Sequence, residues 1–343
     1  MLFSSSIQDA VDHLHSGHLL GLPTETVYGL AADASNDKAL GDIFHLKGRP
    51  QTHPLILHIS DQLEGWKRYT PMRHPLLDHL TQALWPGPVT FIVPKSDTVS
   101  GVVTGGKNTV GLRVPNHPLA LQLLRESGLA LAAPSANRFG KISPTTAQHV
   151  MDEFNDSPLI KSGEIKLSIL DGGPCDVGVE STILDVSSLE VNNTIRVFRH
   201  GGLPLESLKL ILTNYDVSLE VVDYYAKPSE KTEASGTFVS HYAPKTPCRL
   251  FHVGDLEEQL WDAFSTKKHV GVMAFSDRPE GFPESLFQWV VMPTSSTEYA
   301  QKVYAVLRHL DIQPIEEIWI ETPPSHSEWL AIHDRLRRAS FSQ

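Results

Sequence analysis

GLPTETVYGL, residues 21–30, follows the apolar run from His18 to Leu22 and stops it with a proline. Pro23 has no N–H to give to a sheet ladder, so it marks the end of a strand and not its middle. Thr24, Glu25, Thr26 and Tyr28 come next, before Gly29. Apolar side chains would have been cheaper to bury there, since buried hydroxyls and carboxylates need partners. The fold therefore turns on a polar segment at a strand end, and its function on what that segment binds.

Upstream, Ile7, Ala10, Val11 and Leu14 recur at helical spacing, with serines before them and Gly17 after. This is a capped helix leading into the strand that ends at Pro23. Downstream, Ala39, Leu40, Ile43 and Phe44 predict a second helix that ends by KGRP (47–50). LILHI (55–59) reads as a strand, PLLDHLTQAL (75–84) as a helix, and WPGPVTFIVP (85–94) as a turn and a strand. TVGLRVP (109–115), LALAAP (129–134), STILDV (181–186) and TIRVFR (194–199) add strands, with helices near 118–126 and 144–154. Strands outnumber helices, which predicts a mixed α/β domain of roughly 200 residues.

Composition shifts after Gly202. A short helical segment (204–213) leads to AKPSEKTEASG (226–236), the best linker in the chain, and then to SHYAPKTP (240–247). CRLFHV, LEEQLWDAF, HVGVMAF, QWVVMP, TEYAQKVYAVLRHL, EEIWIE and SEWLAIHDRLRRA follow as strands and helices. That order predicts a small, doubly wound parallel sheet.

The chain has 343 residues, 41% of them hydrophobic and 20% charged, enough for two domains. Lys and Arg number 29 against 40 Asp and Glu, a net charge of −11. Such a balance speaks against a broad nucleic-acid grip, which needs clustered cations, though not against a local basic pocket. The only two cysteines, Cys175 and Cys248, make a disulfide scaffold unexpected and fit a reducing compartment. No basic stretch precedes an apolar N-terminal core, and no apolar run approaches the ~18 residues of a membrane span. The expected location is cytoplasmic.

Three patterns lead elsewhere. GVVTGGKN (101–108) nearly spells a P-loop, but Asn108 stands where a magnesium-holding Ser or Thr belongs, and β-type sequence follows where a helix should start. The 17 histidines form neither an HExxH helix nor a Cys/His cluster, so no zinc site is expected. No G-x-S-x-G elbow anchors a hydrolase triad.

The chemistry-bearing residues stand at element edges. In KGRP, Pro50 biases Arg49 to extended structure, which would point Lys47 and Arg49 to one side as a polyphosphate grip. A basic helix end facing solvent is the competing reading, and in either case the segment is expected to be exposed. APSAN (133–137) ends an apolar strand with Ser135 and Asn137, suited either to a ligand or to local turn bonds. SPTTA (143–147) reads as a helix start whose free amides favour an anion. Arg113, inside a strand, needs a negative partner if it is buried. GVEST (178–182) and FRHGG (198–202) add Glu180, Ser181 and Arg199. Together they describe a pocket with cations for phosphates and small polar groups for a polar ligand, hence a nucleotide-handling enzyme.

PTETVYGL, Lys47-x-Arg49, HPLILHI, WPGPVTFIV, TVGLRVP, APSAN, SPT, GVEST and the Arg199-Gly stretch occur in the order found in one family. The chain resembles the threonylcarbamoyl-AMP synthases of the YrdC-like fold, in their longer two-domain form. The resemblance implies an α/β protein with an N-terminal YrdC-like domain (1–205), a twisted mixed sheet with a central cleft. A linker (206–246) able to cover that cleft and a small Rossmann-like, doubly wound C-terminal domain (247–343) would follow. It implies that L-threonine and bicarbonate form a carbamate, which attacks the α-phosphorus of ATP and releases pyrophosphate. A tRNA threonylcarbamoyl-transferase complex would then deliver the group to an adenosine beside the anticodon, with little or no direct tRNA binding by this chain and no membrane. Mg²⁺ would arrive with ATP; no zinc, flavin or NAD is implied.

By the same resemblance, Thr24, Tyr28, His58, Arg113 and Ser181 line the threonine side, with Arg113 on the substrate carboxylate. Lys47, Arg49, Ser135 and Asn137 surround ATP and its reacting phosphate as the catalytic set. Gln51, Thr109, Ser143, Arg199 and His241 complete the ATP contacts, while Glu25 holds the loop and takes no general-base role. One departure stands out: SGTFVSHYAP (235–244) lacks the family's usual P-G-M-K/R-Y linker, and Val239 replaces an aromatic, which puts the lid contacts in doubt. Two alternatives remain at this level: an RNA-binding or ribosome-associated module, and a carbamoyltransferase of the same core fold. The acidic balance opposes the first. Two cysteines leave no room for the zinc modules that accompany the second.

Overall fold

A computed structural model of the chain describes residues 2–4, 6–60, 65–222 and 242–340. These fall into two compact units, one of residues 2–139 and 143–222, the other of Gly140–Ile142 and residues 242–340.

In the first unit the strands are β1 (Leu2–Ser4), β2 (Leu19–Leu22), β3 (Gly29–Asp33), β4 (Ile56–His58), β5 (Val89–Pro94) and β6 (Thr109–Arg113). They continue with β7 (Leu131–Ala132), β8 (Leu167–Leu170), β9 (Thr182–Asp185), β10 (Thr194–Arg199) and β11 (Ser218–Val221). All join one mixed sheet in the order β1-β8-β2-β3-β7-β4-β6-β5-β9-β10-β11. Its central strands are covered on both faces, so β2 is buried at every position and reads as a continuous apolar run. Leu19, Leu30, Leu57, Leu112 and Ala132 pack with the helices Asp37–Lys47 and Pro75–Leu84. Leu20, Leu22, Ala31 and Leu131 pack with the helices Ile7–His15 and Pro118–Ser127.

The helix over 7–15 starts as expected, with Ser6 accepting from the Asp9 amide at 3.1 Å. β3 is an element the sequence pattern hides. Its GLAAD sequence carries no β-branched residue, and only antiparallel pairing with β2 on one side and β7 on the other makes it a strand. The near-P-loop forms a single helical turn, Gly101–Thr104, then Gly105 and Gly106 at positive φ, and runs into β6. No helix stands behind Lys107 to hold a phosphate.

The segment expected as linker (206–246) begins inside this sheet. The helix Leu205–Leu212 leads to β11, which pairs parallel with β10. Residues 223–241, with His241 and Val239, lie outside the described residues.

The second unit is a parallel sheet of β12 (Cys248–Phe251), β13 (Val270–Ala274), β14 (Phe287–Val291) and β15 (Glu317–Glu321), in the order β12-β15-β13-β14. β13 is buried throughout. Tyr242 opens the unit with a left-handed φ of 62° and lies 1% exposed beneath the Arg335 guanidinium, 5.3 Å from the ring centre.

Two glycines position the site for different reasons. Gly48 ends the helix Asp37–Lys47 at φ 63°, with its amide on His45 O and the Arg49 amide on Phe44 O, a Schellman turn with open space around it. Gly201 has no room: a Cβ there would lie 2.3 Å from the carbonyl carbon of Ser181 and 2.4 Å from Glu180 O. Gly48→Ala should therefore cost about 1 kcal/mol, the ordinary penalty for a left-handed alanine. Gly201→Ala should cost about 3 kcal/mol through forced backbone displacement. Urea unfolding of the two variants checks the order; equal losses would show that Gly201 is not sterically required.

Candidate active site

The polar turn after β2 is locked internally before it can meet any ligand. Thr24 Oγ1 donates to Val27 O at 2.6 Å, lies 2.9 Å from Thr26 Oγ1 and accepts from the Thr26 amide at 3.3 Å. The Tyr28 hydroxyl donates to Gly173 O at 2.8 Å and accepts from the Gly172 amide at 3.0 Å. Burial raises its pKa, so it stays a neutral donor. The Tyr28 phenol, expected on the threonine side, thus holds the 171–173 segment in place. Backbone bonds lace neighbouring loops to the turn: Tyr28 N to Pro144 O, Ala136 N to Tyr28 O, and Val177 N to Glu25 O.

Arg113 ends β6 and is paired in register with His58 at the end of β4. Residues in register share a sheet face, and both are buried. Arg113 has the negative partner its burial requires: its Nη2 lies 2.7 Å from Glu25 Oε1, and both side chains are 5% exposed. This is an ion pair without aligned hydrogen-bond geometry, and neither Glu25 carboxylate oxygen has a hydrogen-bond donor among the described residues. Arg113 Nε reaches Gly87 O at 3.4 Å. The Arg113 charge and, more strongly, burial push the His58 pKa down to about 3. Burial first, and the Glu25 charge second, raise the pKa of the Cys175 thiol against the opposing Arg113 charge.

Two strands along the sheet from β6, Ser181 stands just before β9. Its hydroxyl lies 2.8 Å from Thr90 Oγ1 and accepts from Arg199 Nη2 at 3.2 Å, while Arg199 Nε donates to Ser181 O at 3.0 Å. Thr90 and Arg199 are both registered with Ile183, so they line one face. Ser143 donates to Glu180 Oε1 at 2.6 Å, fully buried. The helix start expected at 143–147 is capped by Thr146, which accepts from the His149 amide at 3.2 Å.

Lys47 and Arg49 depart from the exposed, extended segment expected for them. Lys47 is the last helical residue and Gly48 is left-handed, yet the two cations are 3% and 6% exposed. Lys47 Nζ donates to Ser135 O at 2.5 Å and to Asn137 O. Burial, and then the Arg49 charge, hold its pKa well below the usual lysine range. Arg49 Nη2 donates to Pro54 O at 3.0 Å and its guanidinium stands 6.0 Å from the Phe139 ring centre. Ser135 is bridged to Gly29, and Asn137, 1% exposed, donates from Nδ2 to Arg138 O at 2.8 Å. Gln51 is exposed, and Thr109, half-buried, starts β6 opposite Pro94.

The first unit therefore buries Lys47, Arg49, Arg113 and Arg199 as cations against Glu25, Glu180 and Asp185 as carboxylates. Such a surplus is costly in low dielectric and favours anionic ligands. The sequence reading missed Thr90 and the anionic roles of Glu25 and Glu180. Their only signal was polarity in otherwise apolar strand ends. His58 supplies a test of this environment. Its native pKa lies below the unfolded value of 6.5, so the unfolded chain gains a proton that the native one refuses. Stability is thus complete above pH 6.5 and is lost as pH falls toward 3. His58→Gln should shrink the loss of unfolding free energy between pH 7 and pH 4 by about 3 kcal/mol. Parallel wild-type and variant pH curves would contradict a buried neutral His58.

Known proteins share this architecture. The Sua5–YciO–YrdC family, described as "Telomere recombination", matches residues 12–201, and "Threonylcarbamoyl-AMP synthase, C-terminal domain" matches residues 204–340. The chain is 36% identical to the threonylcarbamoyl-AMP synthase of Pyrococcus abyssi over 97% of its own length and 94% of the relative's. It is 34% identical to that of Bacillus subtilis over 97% and 92% of the two chains. The crystal structure of P. abyssi Sua5 complexed with L-threonine superimposes with a TM-score of 0.85 at 34% identity, covering 97% of this chain and 94% of that one. With both domain types present in order and the match running nearly end to end, the chain belongs to the threonylcarbamoyl-AMP synthase family.

Proposed function

We propose that the buried cationic face of the first unit makes threonylcarbamoyl-AMP and pyrophosphate from L-threonine, bicarbonate and ATP. The single observation that carries this reading is the placement of Lys47, Arg49, Arg113 and Arg199 around one network of polar loops. One end offers a guanidinium suited to a carboxylate, the other an ammonium and a guanidinium suited to phosphates. A relative's crystal structure holds L-threonine, which fits an amino-acid subsite here.

In this reading the Arg113 fork takes the threonine carboxylate, with Thr24, Thr26, His58 and Ser181 around the rest of the amino acid. Tyr28 is a positioning residue through its bonds to Gly172 and Gly173. The threonine amine and bicarbonate give a carbamate and water. A carbamate oxygen attacks the α-phosphorus, the bond from that phosphorus to the β-bridging oxygen breaks, and pyrophosphate leaves. No covalent enzyme intermediate is needed, so catalysis is positioning plus stabilisation of charge on the phosphoryl oxygens. Lys47, Arg49, Ser135 and Asn137 supply that role. Ser143, Arg199, Thr109, Gln51 and His241 serve the nucleotide, His241 from the segment beyond the described residues.

Mg²⁺ enters as part of the MgATP substrate. Among the described residues no group of three or more His, Cys, Asp and Glu side chains is placed to hold a metal. The enzyme class is a nucleotidyltransferase. Its product passes to a tRNA threonylcarbamoyl-transferase complex in the cytoplasm, and no helix among the described residues is long and apolar enough to cross a membrane.

Pyrophosphate release from ATP tests the reaction: it should require both L-threonine and bicarbonate, with L-serine a poor substitute. Release indifferent to either would refute the proposal. Because Lys47 is buried and ties two carbonyls, Lys47→Met is the informative variant. It should fold and lose on the order of 100-fold in kcat. Arg113→Lys keeps the charge and loses the fork, so it should raise the threonine KM about tenfold or more with little change for ATP. Steady-state kinetics with each substrate varied in turn separates the two ends of the site.

A further inference from the structure

A buried guanidinium reserved for a substrate carboxylate poses a problem whenever substrate is absent, because an unpaired buried charge strongly destabilises a fold. The chain solves it with Glu25. Its carboxylate lies 2.7 Å from Arg113 Nη2, with both side chains almost wholly out of solvent. We propose that Glu25 is an internal substitute for the substrate carboxylate, so that threonine binds by exchanging one carboxylate for another on Arg113. This inference rests on the reading of Arg113 as the threonine carboxylate site.

Three features suit Glu25 to exchange instead of permanent pairing. First, the contact is close but lacks aligned hydrogen-bond geometry, and neither Glu25 oxygen has another donor among the described residues, so little besides the ion pair holds the side chain. A bidentate substrate carboxylate would make better use of the fork. Second, the Glu25 backbone is fixed independently: Val177 N donates to its carbonyl at 2.7 Å, and Thr24 Oγ1 bonds lock the turn on both sides of it. Displacement then needs only rotation of one side chain. Third, Arg113 is tied to Gly87 O through Nε and sits in the β4–β6 ladder. The cation is the fixed partner and the carboxylate the mobile one.

Exchange has a measurable consequence. A site whose competent state is only partly populated shows an affinity reduced by that fraction. Glu25 therefore weakens threonine binding while protecting the empty enzyme, and only ligands carrying a carboxylate can open the pair. An amino alcohol cannot.

Calorimetric titration of the full chain with L-threonine, without ATP, tests this in wild type and Glu25→Gln. Removing the competing charge should tighten binding about tenfold or more. In Glu25→Ala, sodium propionate should raise the melting temperature well beyond its effect on wild type and should compete with threonine. Unchanged or weaker threonine binding by a folded Glu25→Gln would overturn the exchange, making Glu25 a fixed structural partner or an ammonium contact. If wild type binds no threonine, the amino-acid assignment itself fails, and the propionate experiment alone decides whether Glu25 occupies a carboxylate site. Should neither variant fold, the wild-type protein labelled with ¹³C at its glutamate carboxyls decides. The Glu25 resonance should shift on saturation with threonine or propionate and not with L-threoninol; a resonance indifferent to all three would sink the proposal.

Discussion

The polar turn after β2 is arranged around an arginine buried in the face of a sheet. A guanidinium cannot lose its proton and cannot be left alone in low dielectric, so Arg113 dictates its surroundings. Glu25 must reach it, which fixes the course of the Thr24–Tyr28 turn. That turn must be rigid, which explains the inward bonds of Thr24 and the anchoring of Tyr28 to Gly172 and Gly173. His58, in register beside the same cation, must remain neutral.

The second focus is Lys47, and the constraint there is of the opposite kind. Among the described residues no carboxylate is bonded to its ammonium, which is held by the carbonyls of Ser135 and Asn137. Carbonyl dipoles compensate the charge only partly, and the neighbouring Arg49 works against it. In the proposed function, an anion between these cations offsets their mutual repulsion. Lys47 thereby also joins the end of the helix Asp37–Lys47 to the 135–137 loop, so binding and architecture share one side chain.

Much of this was legible in the sequence. The serines before Ile7, Gly17 and the apolar spacing gave the helices, Pro23 marked the end of β2, and Arg113 inside a strand demanded a negative partner. What stayed hidden was whatever depended on neighbours distant in sequence. The Ala-rich β3 has no strand preference of its own and is defined by pairing on both sides. Lys47 and Arg49 followed local rules that favoured solvent, and packing of Phe139 and the 135–137 loop overrode them. Residues 206–221, expected as the start of the linker, instead form most of a helix and a strand paired with the open edge of β10.

The sequence by itself determined the types of most elements, the family-specific order of polar stretches and the need for anion partners, because periodicity, proline chemistry and charge are properties of short segments. Only the tertiary structure decided that Glu25 meets Arg113, that Thr90 and Arg199 meet at Ser181, and that Lys47 is buried. Those outcomes depend on strand register and loop closure across long sequence separations, and a ladder shifted by one residue would have turned His58 and Arg113 to the opposite face of the sheet.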